Sequence, residues 1–464
     1  MKYFYIFLSL HIVLSTLIAS EASFNFDKTM RIDYFHTGTS DEEVISLDCI
    51  YEEGTWSGSR HSLIDTLDLG NYRAKITDAS SNEVLFSRGY CSLFGEWQTT
   101  DEALEGTYRS FHETVRCPYP NQPVNLIVEK RNRQNIFTEI FDVKIMPDSR
   151  FVNREQKSFP FHVQKIVDHG PPEHNVDLLI MGDGYTETDM SHFQNSVDRY
   201  TKKLFAQEPF KTHFTDFNVW RIDVVSPDSG VDEPRQNLWK RTVFDVQYNT
   251  FDVPRYVLAQ NNKMIHDVAA MVPYDHIYIL FNSDRYGGGG IFHATATCYT
   301  GSQAGQPDWW ADYVFIHEFG HSFAGLADEY YTSAVAYTDL YPGDVEPWEP
   351  NITALLKPEQ LKWAPLVNKD TPIPTPWNKA QFDSLTSAQR GKTGSAKEEL
   401  KKSARKTMEN DLYANRVGCF EGAGYSAKGL YRPTIDCIMF SKSLRSFCPV
   451  CQQAIKRKIL FEIQ

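Results

Sequence analysis

Over the first third of the chain, apolar and polar residues alternate in short runs. Met30 to Phe35, Tyr72 to Ile76 and Val124 to Glu129 place apolar side chains largely on every second position, with a further run at Ile136 to Ile145. A period of two is that of a half-buried strand. Turn-forming clusters such as Asp78-Ala79-Ser80-Ser81-Asn82 separate the runs, and the 3.6-residue helical period is almost absent. The pattern predicts an all-β antiparallel sandwich over residues 23–150. Nothing in it has catalytic or metal-ligand spacing, so its expected role is in folding or in positioning substrate. Phe161 to Val167 reads as one more strand. His169-Gly170-Pro171-Pro172-Glu173 then breaks any regular element, which places a linker at 151–174.

From residue 175 strands alternate with helices. Val176 to Met181 is a short apolar run closed by Gly182-Asp183-Gly184, as a buried strand requires. Thr186 and Asp189 form a predicted capping box for a helix with Met190, Phe193, Val197, Tyr200 and Leu204 on its apolar face. Phe217 to Val225 is the next strand. Pro254 suits the first turn of a second helix running to about Met271. Ile277 to Phe281 is a third strand, and Ile291 to Tyr299 a fourth, expected at an edge. An apolar helix through Ile316 follows, with Asp308 as its candidate cap. The order is that of an α/β zincin domain, expected over 175–464. Between the third and fourth strands lies Gly287-Gly288-Gly289-Gly290. No helix with Lys and Ser or Thr follows it, which excludes a phosphate loop. It either borders a cleft where an extended substrate joins the edge strand or serves as a flexible connection.

Candidate chemistry is concentrated in Ile316 to Tyr330, IHEFGHSFAGLADEY. On a helix His317 and His321, four residues apart, share a face and can ligate one metal ion. Glu318 sits about 100° round the helix from His317. It flanks the metal, where a general base for zinc-activated water must stand. Gly325 suits a left-handed turn that ends the helix and sends the chain back toward the metal. The carboxylates Asp328 and Glu329 follow. These residues imply a zinc-dependent hydrolase acting on peptide bonds.

Further along, Tyr341 to Trp377 is irregular and rich in Pro and Trp, and the charged stretch Ser387 to Lys406 suits a solvated surface helix. Asn351-Ile352-Thr353 is an N-glycosylation sequon, relevant only in a host that glycosylates.

Composition changes the picture in three places. The chain of 464 residues carries 47 basic and 60 acidic side chains, a net charge of −13, which argues against a nucleic-acid partner. Lys2 followed by the apolar stretch Phe4 to Ile18, with Ser20-Glu21-Ala22 after it, reads as a signal peptide over 1–22 cleaved after Ala22. No later segment is long and apolar enough to span a bilayer, so secretion without stable membrane insertion is expected. Export makes the eight cysteines candidates for disulfides. Cys448-Pro-Val-Cys451 has C-x-x-C spacing, but no second such pair completes a structural zinc site, so structural bonding is favoured.

The stretch HEFGHSFAGLADEY resembles the signature of the IgA-peptidase family of zinc metallopeptidases, relatives of the metzincins. The likeness includes LLIMGDGYTETD, YGGGG at 286–290, EPNIT at 349–353, FEGAGY at 420–425, GLYRP at 429–433 and DCIMFS at 436–441. It implies one catalytic zinc, a protein or peptide substrate and a preceding β-sandwich. Metzincins place three residues from the second histidine to the glycine and three more to the third ligand. Here His321 to Gly325 is four and Gly325 to Asp328 is three, which favours Asp328 as the ligand, with Glu329 the alternative or a residue that orients a ligand histidine. The resemblance further implies that Met439 underlies the metal and that Tyr425 or Tyr431 stabilises an oxyanion. Two other readings are an inactive secreted binding protein and a zinc amidase acting on cell-wall peptides.

Overall fold

The structure, a computed structural model, describes residues 22–301, 309–332 and 340–464. The predicted signal peptide, but for Ala22, and the Asp308 cap lie outside the described residues. The chain forms two compact units, one reaching to Gly325 and including Lys456–Gln464, the other starting at Leu326 and including Tyr341–Ile455.

The first unit begins with β1 (Phe24–Gly38), β2 (Glu43–Glu53), β3 (Tyr72–Asp78) and β4 (Val84–Tyr90). Two short helices, α1 (Leu93–Trp97) and α2 (Asp101–Leu104), are capped by the side chains of Ser92 and Thr100. Then come β5 (Arg109–Pro120), β6 (Val124–Arg131), β7 (Phe137–Ile145) and β8 (Val152–Asn153). They make two four-stranded sheets, ordered β5-β1-β2-β8 and β4-β3-β6-β7. Met30, Ile32 and Tyr34 of β1 share one core with Ile76, Phe86, Leu126 and Val128. Alternation in the sequence thus becomes two inner faces meeting.

A six-stranded mixed sheet follows, built from β9 (His162–Val167), β10 (Val176–Asp183), β11 (Phe217–Asp223), β14 (His276–Phe281), β15 (Gly288–Gly290) and β16 (Thr295–Tyr299). Its order is β15-β16-β14-β10-β11-β9. The four central strands are parallel and both edge strands antiparallel. Every residue of β10 is buried, in keeping with its mostly apolar run. The capping box of Thr186 and Asp189 forms, leading into α3 (Met190–Leu204), which buries Phe193, Val197, Tyr200 and Leu204.

Two expectations are corrected. The helix placed from Pro254 to Met271 is α4 (Asn262–Ala269) alone, started where the Asn261 side chain accepts from Met264 N–H. Residues nearer Pro254 go instead into β13 (Val257–Ala259), which pairs with β12 (Val246–Tyr248). Strand pairing outcompetes the weak local preference of proline for a helix start. The run Ile291 to Tyr299 supplies only Thr295–Tyr299 as strand, and it is not an edge. The glycines are themselves the edge strand, paired to β16.

Inside this unit the β-rich and α/β parts are joined by buried polar contacts. Arg31, 1% exposed, donates to Asp33 at 2.9 and 2.8 Å, to Glu53 at 2.9 Å and to Asp267 at 2.7 Å. Arg116 donates to Tyr274 O at 2.7 Å and lies over that ring. Removing one member of such a buried charge cluster costs about 3–5 kcal/mol.

The second unit is mostly irregular from Tyr341 to Trp377. Helices α6 (Lys379–Ser387) and α7 (Gly394–Glu409) follow, α7 exposing most of its charged residues, in keeping with the predicted solvated helix. A hairpin of β17 (Phe420–Ala423) and β18 (Ser426–Arg432) closes a small core with Ala327, Ile352 and Ala354. The last helix is α8 (Pro449–Glu462). Among the described residues no helix is long and apolar enough to cross a membrane. All eight cysteines are free thiols, so the expected disulfides are not formed in this structure.

Candidate metal centre

In the first unit, α5 (Trp309–Ala324) carries the histidines. It is apolar nearly all round because it is buried nearly all round. Phe315 stacks on Tyr200 at 4.8 Å and on Tyr278 at 4.2 Å between ring centroids. The Tyr278 hydroxyl donates to Phe315 O at 3.1 Å. These contacts fix the helix on the sheet beside edge strand β15. A Cβ on Gly288 would lie 2.7 Å from Val314 Cγ1, and one on Gly290 would lie 2.3 Å from Glu318 O. The glycine run is therefore neither a cleft border alone nor a flexible link. It is the one kind of strand that admits this helix so closely.

His317 Nε2 and His321 Nε2 stand 3.2 Å apart. Two nitrogens bound at the usual zinc distance in a tetrahedron would be separated by about 3.3–3.4 Å. The donor pair thus fits a metal ion. His317 is buried and its Nδ1 is 3.3 Å from the Tyr313 hydroxyl, one helical turn back. That contact engages Nδ1 and leaves Nε2 for a metal. Glu318, half-buried, is the next residue on the same turn. The helix stops at Gly325, which adopts φ +61° and donates to His321 O at 3.0 Å. The left-handed turn read from the sequence is present.

In the second unit, the neighbours Asp328 and Glu329 have different partners. The Tyr425 hydroxyl donates to Asp328 Oδ2, and Gly424 N–H donates to Asp328 O at 2.9 Å. Glu329 is wholly buried. Its N–H donates to Met439 O at 2.9 Å, and its Oε1 accepts from Asn351 Nδ2 at 3.1 Å and lies 3.3 Å from Cys451 Sγ. Burial first, and then the neighbouring sulfurs, push the Glu329 carboxyl and the Cys437 and Cys451 thiols well above their ordinary values. Met439 is fully buried, and its carbonyl serves this segment. Tyr431 pairs through its backbone with Thr353.

Sequence reasoning missed two contributors. Asn351, read as a glycosylation site, is 0% exposed. Its side chain accepts from Ala327 N–H at 2.7 Å and donates to Ala327 O at 2.9 Å, which aligns the segment ahead of Asp328. A sequon carries no signal of such burial. Tyr313 was legible only as an apolar helix position, although its spacing of four from His317 could have marked it as a partner.

Comparison with known families bears on both parts of the chain. Residues 164–459 match the family model of the IgA peptidase M64, and residues 22–142 match that of the peptidase M64 N-terminus. No curated protein matches the chain.

Proposed function

As the chain belongs to the IgA peptidase M64 family of metallopeptidases, we propose that it is a secreted, zinc-dependent endopeptidase with a zincin-like catalytic domain. Carrying this reading is the 3.2 Å separation of His317 and His321 Nε2, with Glu318 beside them. His317, His321 and Asp328 would hold the ion. Asp328 is preferred to Glu329 because Glu329 is occupied with Asn351, Cys451 and the Met439 turn. The motif count of three from Gly325 to Asp328 favours the same residue. Export is supported by the apolar leader.

A zinc ion held by these residues would supply Lewis acidity at this position. Glu318 accepts a water's proton as the scissile carbonyl carbon is attacked, then delivers it to the amine nitrogen as the C–N bond breaks. Tyr313 holds the His317 ring in the orientation that presents Nε2. Tyr425, through its bond to Asp328, positions a ligand rather than an oxyanion.

The test is Glu318→Gln, followed by zinc content and cleavage of a mixed peptide library. Zinc should be retained while kcat falls by about 10²–10⁴-fold. Unchanged turnover with zinc bound would sink the assignment.

A further inference from the structure

Beyond the catalytic ligands, the described residues hold three further clusters of side chains able to bind a metal, and one of them is rich in thiols. Glu329, Cys437, Cys448 and Cys451 present four donor atoms within 4.8 Å of one another, all buried. Three separate segments supply them: the stretch after Gly325, the turn containing Met439, and the start of α8. Cys437 Sγ is 3.9 Å from Cys451 Sγ, and Cys448 Sγ is 3.5 Å from it. A disulfide would require about 2.05 Å. Two thiolates on a tetrahedral zinc at about 2.3 Å would be about 3.8 Å apart, and a thiolate and a carboxylate oxygen about 3.5 Å. The observed sulfur pairs straddle the first value, and Cys451 Sγ to Glu329 Oε1, at 3.3 Å, is close to the second.

Three further observations point the same way. Among the described residues Glu329 Oε2 is buried without a hydrogen-bond partner, which is costly for a carboxylate unless a cation answers it. Backbone amides also donate to sulfur, Cys448 N–H to Cys437 Sγ at 3.3 Å and Cys451 N–H to Cys448 Sγ at 3.5 Å. Such bonds orient thiolates as outer partners orient metal ligands. Arg432, wholly buried, donates to Ile435 O at 3.1 Å and brings positive charge to the turn before Cys437.

We propose that Glu329, Cys437, Cys448 and Cys451 form a second, structural zinc site. Four protein ligands and no open position make it a closed site, and soft thiolates select zinc over magnesium or calcium. It ties Glu329 to the Met439 turn and to α8, and so holds the backbone of Asp328 from behind. None of its donors is a ligand of the catalytic ion, so the proposal stands apart from the catalytic reading.

Cobalt(II) replacement on the full-length chain tests it, because only thiolate ligands give sulfur-to-cobalt charge-transfer bands in the near ultraviolet. The wild-type protein should show these bands and hold about two metal ions per chain. His317→Ala/His321→Ala should keep the bands and lose one ion, and Cys448→Ser/Cys451→Ser should lose the bands. If the histidine variant keeps both ions, the catalytic reading fails while this site stands. Should the cysteine variant not fold, the wild-type spectrum decides alone. Absence of the bands from folded, cobalt-loaded wild type overturns the proposal, as does non-reducing peptide mapping that finds any two of these cysteines in a disulfide.

Discussion

Replacing Gly290 with alanine probes how closely the edge strand and the histidine helix must approach. The new Cβ would lie 2.3 Å from Glu318 O and 3.1 Å from His321 Cβ, whereas ordinary contact begins near 3.4 Å. The obstruction at Glu318 is backbone, which cannot rotate away, so strand and helix must separate by about 1.1 Å. The strand is held by its register to β16, Gly290 opposite Ala296, and the helix by the stack of Phe315 on Tyr200 and Tyr278. Overpacking of this kind costs about 1–3 kcal/mol. At about 2–4 °C per kcal/mol, Tm should fall by several degrees. Activity should suffer more, since a displacement of about 1 Å at reacting groups costs on the order of 10²-fold. Thermal melts, zinc content and kcat/KM on a fluorogenic peptide measure the two effects separately. Gly54→Ala, whose Cβ would meet nothing within 4 Å, is the control. A Gly290→Ala enzyme with kcat/KM within about threefold of wild type would refute the argument, because the geometry leaves no cheap accommodation.

Other substitutions test single contacts. Tyr425→Phe removes the hydroxyl that donates to Asp328 Oδ2 and should weaken zinc binding by about 10–100-fold in chelator competition; unchanged affinity would separate Tyr425 from the metal. Asn351→Ala leaves the Ala327 N–H and carbonyl and Glu329 Oε1 without their side-chain partner, and should lower stability to denaturant by about 3 kcal/mol or more. Wild-type protein from a glycosylating host should carry no glycan at this buried asparagine, and one found by intact mass would contradict its placement. Asp275 is pushed up to about 7, first by burial and then by the charges of Glu462 and Asp177. The folded chain keeps that proton where the unfolded chain has released it, so the stability Asp275 contributes is complete below about pH 4 and lost as pH rises through 7. The ceiling is about 4 kcal/mol. Asp275→Asn should therefore gain on wild type between pH 4 and pH 7 in denaturant titrations, and a constant difference would count against it.

Much of the centre could be read from local pattern. The apolar helix with His317, Glu318 and His321, the turn at Gly325 and the buried strand β10 all follow from periodicity and backbone preference. Each is a property of a few consecutive residues. The glycine strand was not readable, since glycine has no side chain to show a period, and its need arises from a helix that passes over it. The start of α4 was misplaced because Val257–Ala259 found a pairing partner in Val246–Tyr248, which local preference cannot foresee.

Motif counting favoured Asp328 over Glu329 but left the pair open, and tertiary structure gives the two residues different surroundings. Tyr425 comes from 97 residues away to Asp328, and Cys451 from 122 residues away to Glu329. Asn351, within its sequon, bonds Ala327 and Glu329 on either side of Asp328. The sequence by itself determined which faces are apolar and where the helix with its two imidazoles ends. Which partners each buried carboxylate meets was decided only by chain closure, because those partners lie far away in the sequence and come together only where water is excluded.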